Sequence, residues 1–553
     1  MRKYILSILF TIGYLIFGYN TSFAGNSKTD VARNLNIFNN LFKELNTHYV
    51  DSIDADKMIT FAIEAMLWKL DPYTTYFSSE EEFSELINEE YGGIGVRNIV
   101  RDSILYISYI TEGNPAQLAG MKVGDQIIAI NDETISKSDI NNVGEKIRGH
   151  AGTNVKITVR RPYANDSIIT FDITRQHIKP NTVPYYGVIN GNIGYIKLTS
   201  FKDDSFNKVK KALIELKQDS NVKSIILDLR DNPGGQLNTC IDILSLFLPK
   251  NTEILTTKGK ENVIKDVYKT TLKPIDTKIP LVILINENSA SASEVVAGSL
   301  QDLDRAVIIG SRSFGKGLVQ STFSCGHNSY LKVTTSKYYL PSGRLIQALD
   351  YSNRNPDGSI TPTPDSLTNV YKTSRGREVR DGGGITPDIA IKKDTLKPIT
   401  TNAINNYLIF DYATYFVNSH PSIDAPDKFE ITDSIFNDFK QFALNQNFKY
   451  DKICEEQLNI LKTSAEREGY MTDEVKAQFD NLEKMLHHDL GKDLDNNREE
   501  ICKYLSSMII QCYYFERGEI IHDIHNGIVI KEATKILSDP QKYNSILTLQ
   551  NSK

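Results

Sequence analysis

Apolar residues recur at helical spacing in the first part of this chain and at strand spacing in the next. Two amphipathic stretches, 36–42 and 58–70, predict that residues 25–90 form a helical region whose role is packing. Pro72 ends the second of these stretches, because proline disfavours helix at the residue before it. From residue 91 the pattern changes to short strands. This change predicts a separate small domain over residues 91–178.

A mixed α/β region follows over residues 179–395. Its apolar strands, 193–198, 222–229 and 281–285, alternate with amphipathic helices, which predicts a largely parallel sheet with helices around it. Residues 396–553 are charged and helical, with one long amphipathic run between residues 466 and 504. A chain of 553 residues is too long for one domain. We therefore expect a multidomain α/β protein with helical regions at both ends.

The first residues differ from the rest of the chain. A basic start is followed by an apolar run over 4–19 and by small residues before Gly25. This arrangement is typical of a secretory signal peptide, which we place at residues 1–24. The apolar run is marginal for a membrane span, so an uncleaved anchor in the inner membrane is the alternative. The sequence thus predicts an exported, periplasmic protein.

Composition narrows the possible functions. The chain is 40% hydrophobic and 24% charged, and its net charge of -6 argues against a nucleic-acid partner. Five scattered cysteines form neither a disulfide framework nor a CxxC pair. Histidines in the C-terminal region lack the supporting ligand pattern of a metal site. We therefore predict no metal and no cofactor. These histidines are His487, His488, His522 and His525.

A candidate nucleophile lies between a predicted strand and a predicted helix. The apolar strand 281–285 is followed by a short turn, by Ser-Ala-Ser-Ala-Ser-Glu at 289–294, and by apolar residues at helical spacing. Such a turn exposes a serine beside the free N–H groups of a helix N-terminus, which can stabilise an oxyanion. Ser291 is the candidate. The same residues also fit the helix capping box S-x-x-E, and this stretch alone favours the capping interpretation.

The region 91–131 carries several motifs in order. They are a Gly-Ile-Gly turn, a P-A-x-x-A-G helix and a G-D-x-I-x-x-I-N strand, and a further helix starts near residue 141. Together they resemble a PDZ domain. That resemblance implies binding of an extended chain end at a sheet edge, with the terminal carboxylate at the glycine-rich turn. A domain of this fold that only packs is the alternative. The turn comprises Gly92, Gly93, Ile94 and Gly95.

Over about residues 35–395 the chain resembles the carboxyl-terminal processing peptidases, or tail-specific proteases. The resemblance rests on Leu-Asp-Pro at 70–72, the glycine turn, Asp-Leu-Arg-Asp-Asn-Pro-Gly-Gly at 228–235, the serine stretch, and Phe-Gly-Lys-Gly at 314–317. It implies a mixed α/β core of the crotonase/ClpP-like type with a PDZ domain. The tail after residue 395 lies outside the resemblance, and a solvated helical appendage and an oligomer interface are equal alternatives for it.

The resemblance also assigns roles. It implies Ser291 as the nucleophile, Lys316, 25 residues further on, as general base, and Gln320 as the residue that orients the lysine amine. Asp302 is expected to give structural support. Burial would lower the pKa of the lysine, as its role requires. A Ser-His-Asp triad using His327 is the rival interpretation. The expected oxyanion donors are the N–H groups of Ala292 and of Gly234 or Gly235.

Two functions follow from these observations. The first is an exported serine endopeptidase that recognises protein or peptide substrates by their free C-termini and cleaves them through an acyl-enzyme. The second is a noncatalytic scaffold that binds C-terminal tails through its PDZ domain. Family analogy further implies self-association into a homo-oligomer.

Overall fold

The computed structural model describes residues 28–87, 91–136, 140–351, 354–355, 357–392 and 395–548. The predicted signal peptide, residues 1–24, lies outside these ranges. Within them, no helix combines the length and the apolar character that a membrane crossing needs.

The N-terminal region is helical, as predicted, but it also supplies a strand. Its elements are α1 (Lys28–His48), α2 (Ala55–Trp68), β1 (Thr75–Phe77) and α3 (Glu80–Ile87). Asp54 caps α2 by accepting a hydrogen bond from the Lys57 N–H at 3.2 Å. No residue of α2 is buried, and both α1 and α2 expose large apolar side chains, such as Leu35 at 58% and Phe61 at 69%. These two helices therefore present an apolar face without a partner in the described part of the chain.

The second domain is a sheet with two short helices. Its strands are β2 (Tyr91–Gly93), β3 (Val96–Arg101), β4 (Ile104–Ile110), β5 (Gln126–Ile130), β6 (Glu133–Thr134), β7 (Asn154–Arg161), β8 (Ser167–Thr174) and β9 (Gln176–Ile178), and its helices are α4 (Pro115–Leu118) and α5 (Val143–Ile147). The main sheet has the order β3–β4–β5–β7–β8. Since β3 ends this sheet, its outer edge can pair with another strand.

The α/β core is built on a six-stranded sheet of order β10–β11–β12–β15–β16–β21, parallel except for the first pair. Its strands are β10 (Tyr186–Ile189), β11 (Ile193–Lys197), β12 (Ser224–Asp228), β15 (Leu281–Ile285), β16 (Val307–Gly310) and β21 (Ile389–Ala390). Helices α6 (Ser205–Gln218), α7 (Leu237–Ser245) and α8 (Ala292–Asp302) pack through apolar side chains on one face. The largely parallel sheet is the predicted one.

A second sheet carries the residues around the predicted lysine base. It contains β13 (Glu253–Lys258), β14 (Ile264–Lys269), β17 (Leu318–Gly326) and β18 (Ser329–Tyr339), and β1 from the N-terminal region pairs antiparallel with β18. The sequence interpretation assigned residues 25–90 only helices, so this strand was missed. The segment 348–384 holds a small hairpin of β19 (Val370–Lys372) and β20 (Glu378–Arg380).

The C-terminal region consists of α9 (Pro398–Asn405), α10 (Leu408–Ser419), α11 (Asp433–Asn445), α12 (Ile453–Arg467), α13 (Asp473–Leu486), α14 (Leu490–Asn496), α15 (Arg498–Asn526), α16 (Ile528–Leu537) and α17 (Pro540–Leu547). The single amphipathic run expected between residues 466 and 504 is wrong. Gly469, with φ of 79°, follows α12 in the left-handed conformation that terminates helices, and the chain then turns back into α13.

The last helices cover the second face of the core sheet. Ile520 and Ile524 of α15, Ile530 of α16 and Leu547 of α17 form one buried cluster with the sheet residues that point away from α6–α8. The Tyr543 hydroxyl accepts a hydrogen bond from the Leu281 N–H at 2.9 Å and lies 3.1 Å from the carbonyl oxygen of that residue. Helices α15–α17 are therefore an integral layer of the core, and the solvated-appendage alternative is wrong for this part of the tail.

Candidate active site

Ser291 forms the turn between β15 and α8. Its backbone has φ of 56° and ψ of −114°, which a residue with a side chain adopts rarely and at a cost of about 1–3 kcal/mol. It occupies the N-cap position of α8, and no described group accepts a hydrogen bond from the N–H of Ala292, the next residue. The serine is thus presented in a strained turn beside a free helical N–H group.

Glu294 connects the serine turn to the lysine loop. Its fully buried carboxylate accepts hydrogen bonds from the N–H groups of Ser291 at 2.8 Å, Gly315 at 2.7 Å and Lys316 at 2.8 Å. The Ser313 hydroxyl donates a fourth at 2.5 Å. Burial raises the pKa of Glu294 to about 7, although these four donors oppose the rise. The Glu294 carboxylate accepts a hydrogen bond from the N–H of the N-cap residue, as expected for a capping box. The same residues therefore cap the helix and present Ser291 as a candidate nucleophile.

Tyr338 makes a second connection between the same two residues. Its buried hydroxyl donates to the carbonyl oxygen of Lys316 and lies 3.3 Å from that of Ser291. Glu294 therefore binds both N–H groups, and Tyr338 contacts both carbonyl groups. No sequence motif pointed to Tyr338, because its distance of 47 residues from Ser291 is closed only by the fold.

Lys316 lies in the loop between β16 and β17. Burial lowers the pKa of its amine, and the nearby positive charge of Lys332 lowers it further. Asp71 and Glu294 act in the opposite direction but do not reverse the shift. A lowered pKa increases the neutral fraction of the amine, the form that can accept a proton.

The N-terminal region reaches this lysine. The Nζ atom of Lys316 lies 4.3 Å from the centre of the Tyr73 ring. Tyr73 follows directly after the Leu-Asp-Pro motif, in the region to which we assigned only packing. The Leu-Asp-Pro motif marked this segment as part of the family resemblance, but nothing in the sequence placed the segment beside the lysine.

Two other predicted residues have different neighbours. Gln320, on β17, donates from Nε2 to the Thr334 hydroxyl of β18 at 3.0 Å, and no bond to Lys316 occurs among the described residues. Its orienting role stays a prediction. His327 lies in the β17–β18 turn and lines a cleft beneath α2. In the described chain no hydrogen bond joins His327 to Ser291, so the geometry does not support the rival triad.

Asp302 lies at the far end of α8 from the serine. Eleven residues of helix separate the two by about 16 Å. Its carboxylate forms a buried ion pair with Arg344 at 2.8 Å and accepts a hydrogen bond from the Ser342 N–H at 3.0 Å. These contacts hold the turn after β18, which agrees with the structural role expected for Asp302.

The Pro-Gly-Gly loop lies directly against the serine turn. The Asn232 carbonyl accepts hydrogen bonds from the Ala290 N–H at 3.1 Å and the Ser293 hydroxyl at 2.8 Å. Gly234 lies so close that an added Cβ would stand 2.9 Å from the Ala292 nitrogen. The Gly234 N–H already donates to the Asn232 side chain at 2.9 Å, whereas no described group accepts from the Gly235 N–H. Of the two glycines, only Gly235 therefore has an N–H without an acceptor among the described residues.

The base of this loop is held by buried charges. The carboxylate of Asp228, at the end of β12, accepts from Arg230 Nε at 3.0 Å and from the Tyr195 hydroxyl at 2.6 Å, and Lys197 lies 3.4 Å away. Arg230 and Lys197 keep the pKa of Asp228 below its ordinary value despite its burial. Arg230 also pairs with Asp523 of α15 at 2.7 Å. The C-terminal helices therefore contact the loop that approaches the serine.

The glycine-rich turn of the second domain lies at the start of its edge strand. Gly92 and Gly93 belong to β2, and Ile94 and Gly95 connect β2 to β3. The Ile94 carbonyl is held by the Ala116 N–H at 2.9 Å, and no described group accepts from the N–H of Ile94 or Gly95. These free N–H groups have the chemistry that a terminal carboxylate requires.

Within the described ranges, the histidines of the tail do not form a metal-binding group. His487 and His488 both approach the carboxylate of Glu455, at 3.5 and 3.2 Å. Across the described ranges, no three His, Cys, Asp or Glu side chains are arranged to hold a metal ion. All five cysteines are free thiols.

Comparison with known proteins connects these regions to one family. The sequence profile of Peptidase family S41 matches residues 192–360, and a PDZ domain profile matches residues 106–161. A third profile, described as the C-terminal helical domain of a probable PDZ-protease, matches residues 399–537. The limit that we placed on the resemblance at residue 395 was therefore wrong.

Individual relatives agree with the profiles. A carboxy-terminal-processing protease of Bartonella bacilliformis is 35% identical over 365 residues, which cover 65% of this chain and 82% of that protein. A probable CtpA-like serine protease of Staphylococcus aureus is 31% identical over 467 residues, covering 83% and 90%. The solved structure of a photosystem II D1 C-terminal processing protease aligns with a TM-score of 0.37 at 23% identity, covering 65% of this chain and 94% of that one.

Fold and comparisons together define a serine peptidase that carries a PDZ domain. The chain belongs to peptidase family S41, among the carboxy-terminal-processing proteases.

Proposed function

We propose that this protein is an exported endopeptidase that binds C-terminal tails through its PDZ domain and cleaves them with a Ser291/Lys316 dyad. The neutral Lys316 amine takes the proton of the Ser291 hydroxyl as the serine oxygen attacks the peptide carbonyl. The protonated lysine then gives this proton to the leaving amine, and an acyl-enzyme remains. Water, activated by the same amine, hydrolyses the ester and restores the serine.

The oxyanion of each tetrahedral intermediate is stabilised by backbone N–H groups. Ala292 and Gly235 supply them, since neither N–H has another described acceptor. The Gly234 N–H, by contrast, donates a hydrogen bond to the Asn232 side chain and so stabilises the loop.

One observation carries this proposal. Glu294 and Tyr338 together bind the backbones of Ser291 and Lys316 from both sides, which holds the two residues in a fixed relation. Burial of a carboxylate that accepts four hydrogen bonds costs more free energy than the capping of a helix alone requires. It suits a site in which a small displacement of nucleophile or base reduces the rate about a hundredfold.

The first experiment is cleavage of an unfolded reporter with an apolar C-terminus by the purified protein, by Ser291→Ala and by Lys316→Ala. We expect activity only in the unchanged protein. Activity in Lys316→Ala would refute the dyad, and activity in Ser291→Ala would refute the nucleophile. Inactivity of all three, with the reporter bound, would favour the scaffold.

Recognition of C-termini is supported by the open edge of β3 and by the free N–H groups of the glycine turn. We expect a reporter with an amidated C-terminus to be cut more slowly, because the turn then has no carboxylate to bind. Equal rates for the free and amidated reporters would exclude terminal recognition.

Export is supported by the signal-like segment before α1. Mass spectrometry of the purified protein distinguishes a cleaved signal peptide from an uncleaved anchor, since cleavage leaves Gly25 at the N-terminus. An intact Met1 would indicate an anchor in the inner membrane instead.

Self-association is supported by the apolar face of α1 and α2. Two such helices, with no buried residue in α2, gain stability when a second copy covers that face. The double variant Leu35→Glu, Phe61→Glu is expected to shift sedimentation to the monomer. An unchanged sedimentation coefficient would refute this interface. Removal of the tail is unsuitable for this test, since it would expose the second face of the core sheet.

A further inference from the structure

The side chain of Lys316 has a neighbour that the dyad does not explain. Its Nζ lies 4.3 Å from the centre of the Tyr73 ring, which is within cation–π distance. Among the described residues, no hydrogen bond holds this amine to Ser291 or to Gln320. The Tyr73 ring is therefore a defined neighbour of the amine in a site where no hydrogen bond to the dyad partners fixes it.

Tyr73 itself is firmly held in place. The buried Asp71 carboxylate accepts hydrogen bonds from the N–H groups of Tyr73 and Thr74, both at 2.9 Å, and from the Thr74 hydroxyl at 3.1 Å. That hydroxyl in turn accepts from the Thr334 N–H of β18 at 3.2 Å. The turn after Leu-Asp-Pro is thus fastened to the strand beside the lysine loop.

The ring is fixed as well. Tyr351 packs edge-on against Tyr73, with ring centres 6.0 Å apart and planes at 90°, and the two hydroxyl oxygens are 3.3 Å apart. Backbone and ring are therefore held by separate sets of contacts, which gives Lys316 a rigid aromatic surface.

We propose that Tyr73 is a positioning residue for the Lys316 amine: its ring limits the positions of Nζ and shields it from water. This inference rests on the proposed dyad. The lysine side chain has four rotatable bonds, so a base of this kind needs a surface that restricts it. The N-terminal region thereby contributes to catalysis through a residue that does not contact the substrate.

The ring also bears on the protonation of the amine. The charged groups that face Lys316 are Lys332 of β18, Asp71 of the N-terminal turn and Glu294 of α8. Removal of the ring leaves these charges in place and admits water. Since desolvation is the main cause of the lowered pKa, we expect the admitted water to outweigh the lost cation–π contact and to favour the charged amine.

The test compares Tyr73→Phe, which keeps the ring, with Tyr73→Ala, which removes it. Tyr76→Ala is the matched control, because Tyr76 lies in the same segment but lines the cleft beneath α2. For Tyr73→Ala we expect kcat to fall about tenfold or more, with KM within about twofold, and the acid limb of kcat/KM to move to higher pH. Tyr73→Phe and Tyr76→Ala should retain the kcat of the unchanged protein and the acid limb of its kcat/KM profile.

The outcomes separate the two proposals. Full activity of Lys316→Ala would refute the dyad and this inference together. Loss of activity in Lys316→Ala with unchanged kcat and pH limb in Tyr73→Ala would overturn this inference alone. Equal losses in Tyr73→Phe and Tyr73→Ala would also overturn it, because the hydroxyl and not the ring would then be responsible. If Tyr73→Ala melts below the assay temperature, all variants are compared at a temperature below its melting point, with the same expectation.

Discussion

Two isoleucines of α16 test whether the C-terminal helices are part of the core. Ile530 is 1% exposed and packs on the second face of the core sheet, whereas Ile528, two residues earlier in the same helix, is 64% exposed. Replacing each by alanine removes the same atoms from the same helix. The two variants therefore differ only in what the side chain contacts.

The expected magnitude follows from burial. Replacing a fully buried isoleucine by alanine costs about 2–5 kcal/mol in transfer and cavity free energy. The higher helix propensity of alanine offsets about 0.4 kcal/mol of this in both variants. Ile530→Ala should therefore lose about 3 kcal/mol, and Ile528→Ala should lose nothing or gain slightly.

Hydrogen exchange of β15 is the appropriate assay, because a protein of several domains does not unfold in one two-state step. β15 (Leu281–Ile285) is covered by the tail but lies about 250 residues away in sequence, as its contact with Tyr543 at a separation of 262 shows. A loss of about 3 kcal/mol corresponds to exchange about a hundredfold faster at these amides. Unchanged exchange in Ile530→Ala would refute the assignment of the tail to the core.

Further predictions concern the site. Glu294→Ala removes four hydrogen bonds and should lower kcat about a hundredfold while Ser291 remains present, as steady-state kinetics would show; a retained kcat would contradict its role. The rate should rise with pH, because the neutral Lys316 amine is the active form and its lowered pKa sets an acid limb below that of an ordinary lysine; a rate that falls with pH would contradict this. Arg230→Ala leaves Asp228 buried without its main partner and should destabilise the core sheet by about 3–5 kcal/mol, measured by hydrogen exchange of the β12 amides. Asp523→Ala removes only a partly exposed partner and should cost below about 1 kcal/mol, so equal losses would disprove this difference.

The sequence allowed prediction of features that depend on local pattern. The strand–turn–helix around Ser291 is encoded within about 20 neighbouring residues, and apolar spacing indicated the parallel sheet. The motif that follows the second strand indicated the loop with Gly234 and Gly235. Each of these features arises from residues close together in the chain, and each was found.

Features that depend on tertiary contacts could not be predicted in this way. Tyr338 and Tyr73 reach the site because β18 pairs with both β17 and β1, and no periodicity reports such pairing. Glu294 was identified only as a capping residue, since its contacts with the lysine loop span 21 and 22 residues. The packing of the tail on the sheet was missed for the same reason: amphipathic helices show that a partner exists but not which one.

The coverage of the core sheet by α15–α17 sets an order of events during synthesis. Ser291 and Lys316 are made long before the helices that cover the second face of their sheet, since α15 begins only at Arg498. Until residue 547 has been made, the sheet keeps an open apolar face, and the loop that carries Arg230 lacks its contact with Asp523. Domains generally fold as units during chain elongation, so an incomplete protease has its active-site residues without a finished core. Docking of α15–α17 on the sheet is therefore required before the core that holds Ser291 and Lys316 is complete.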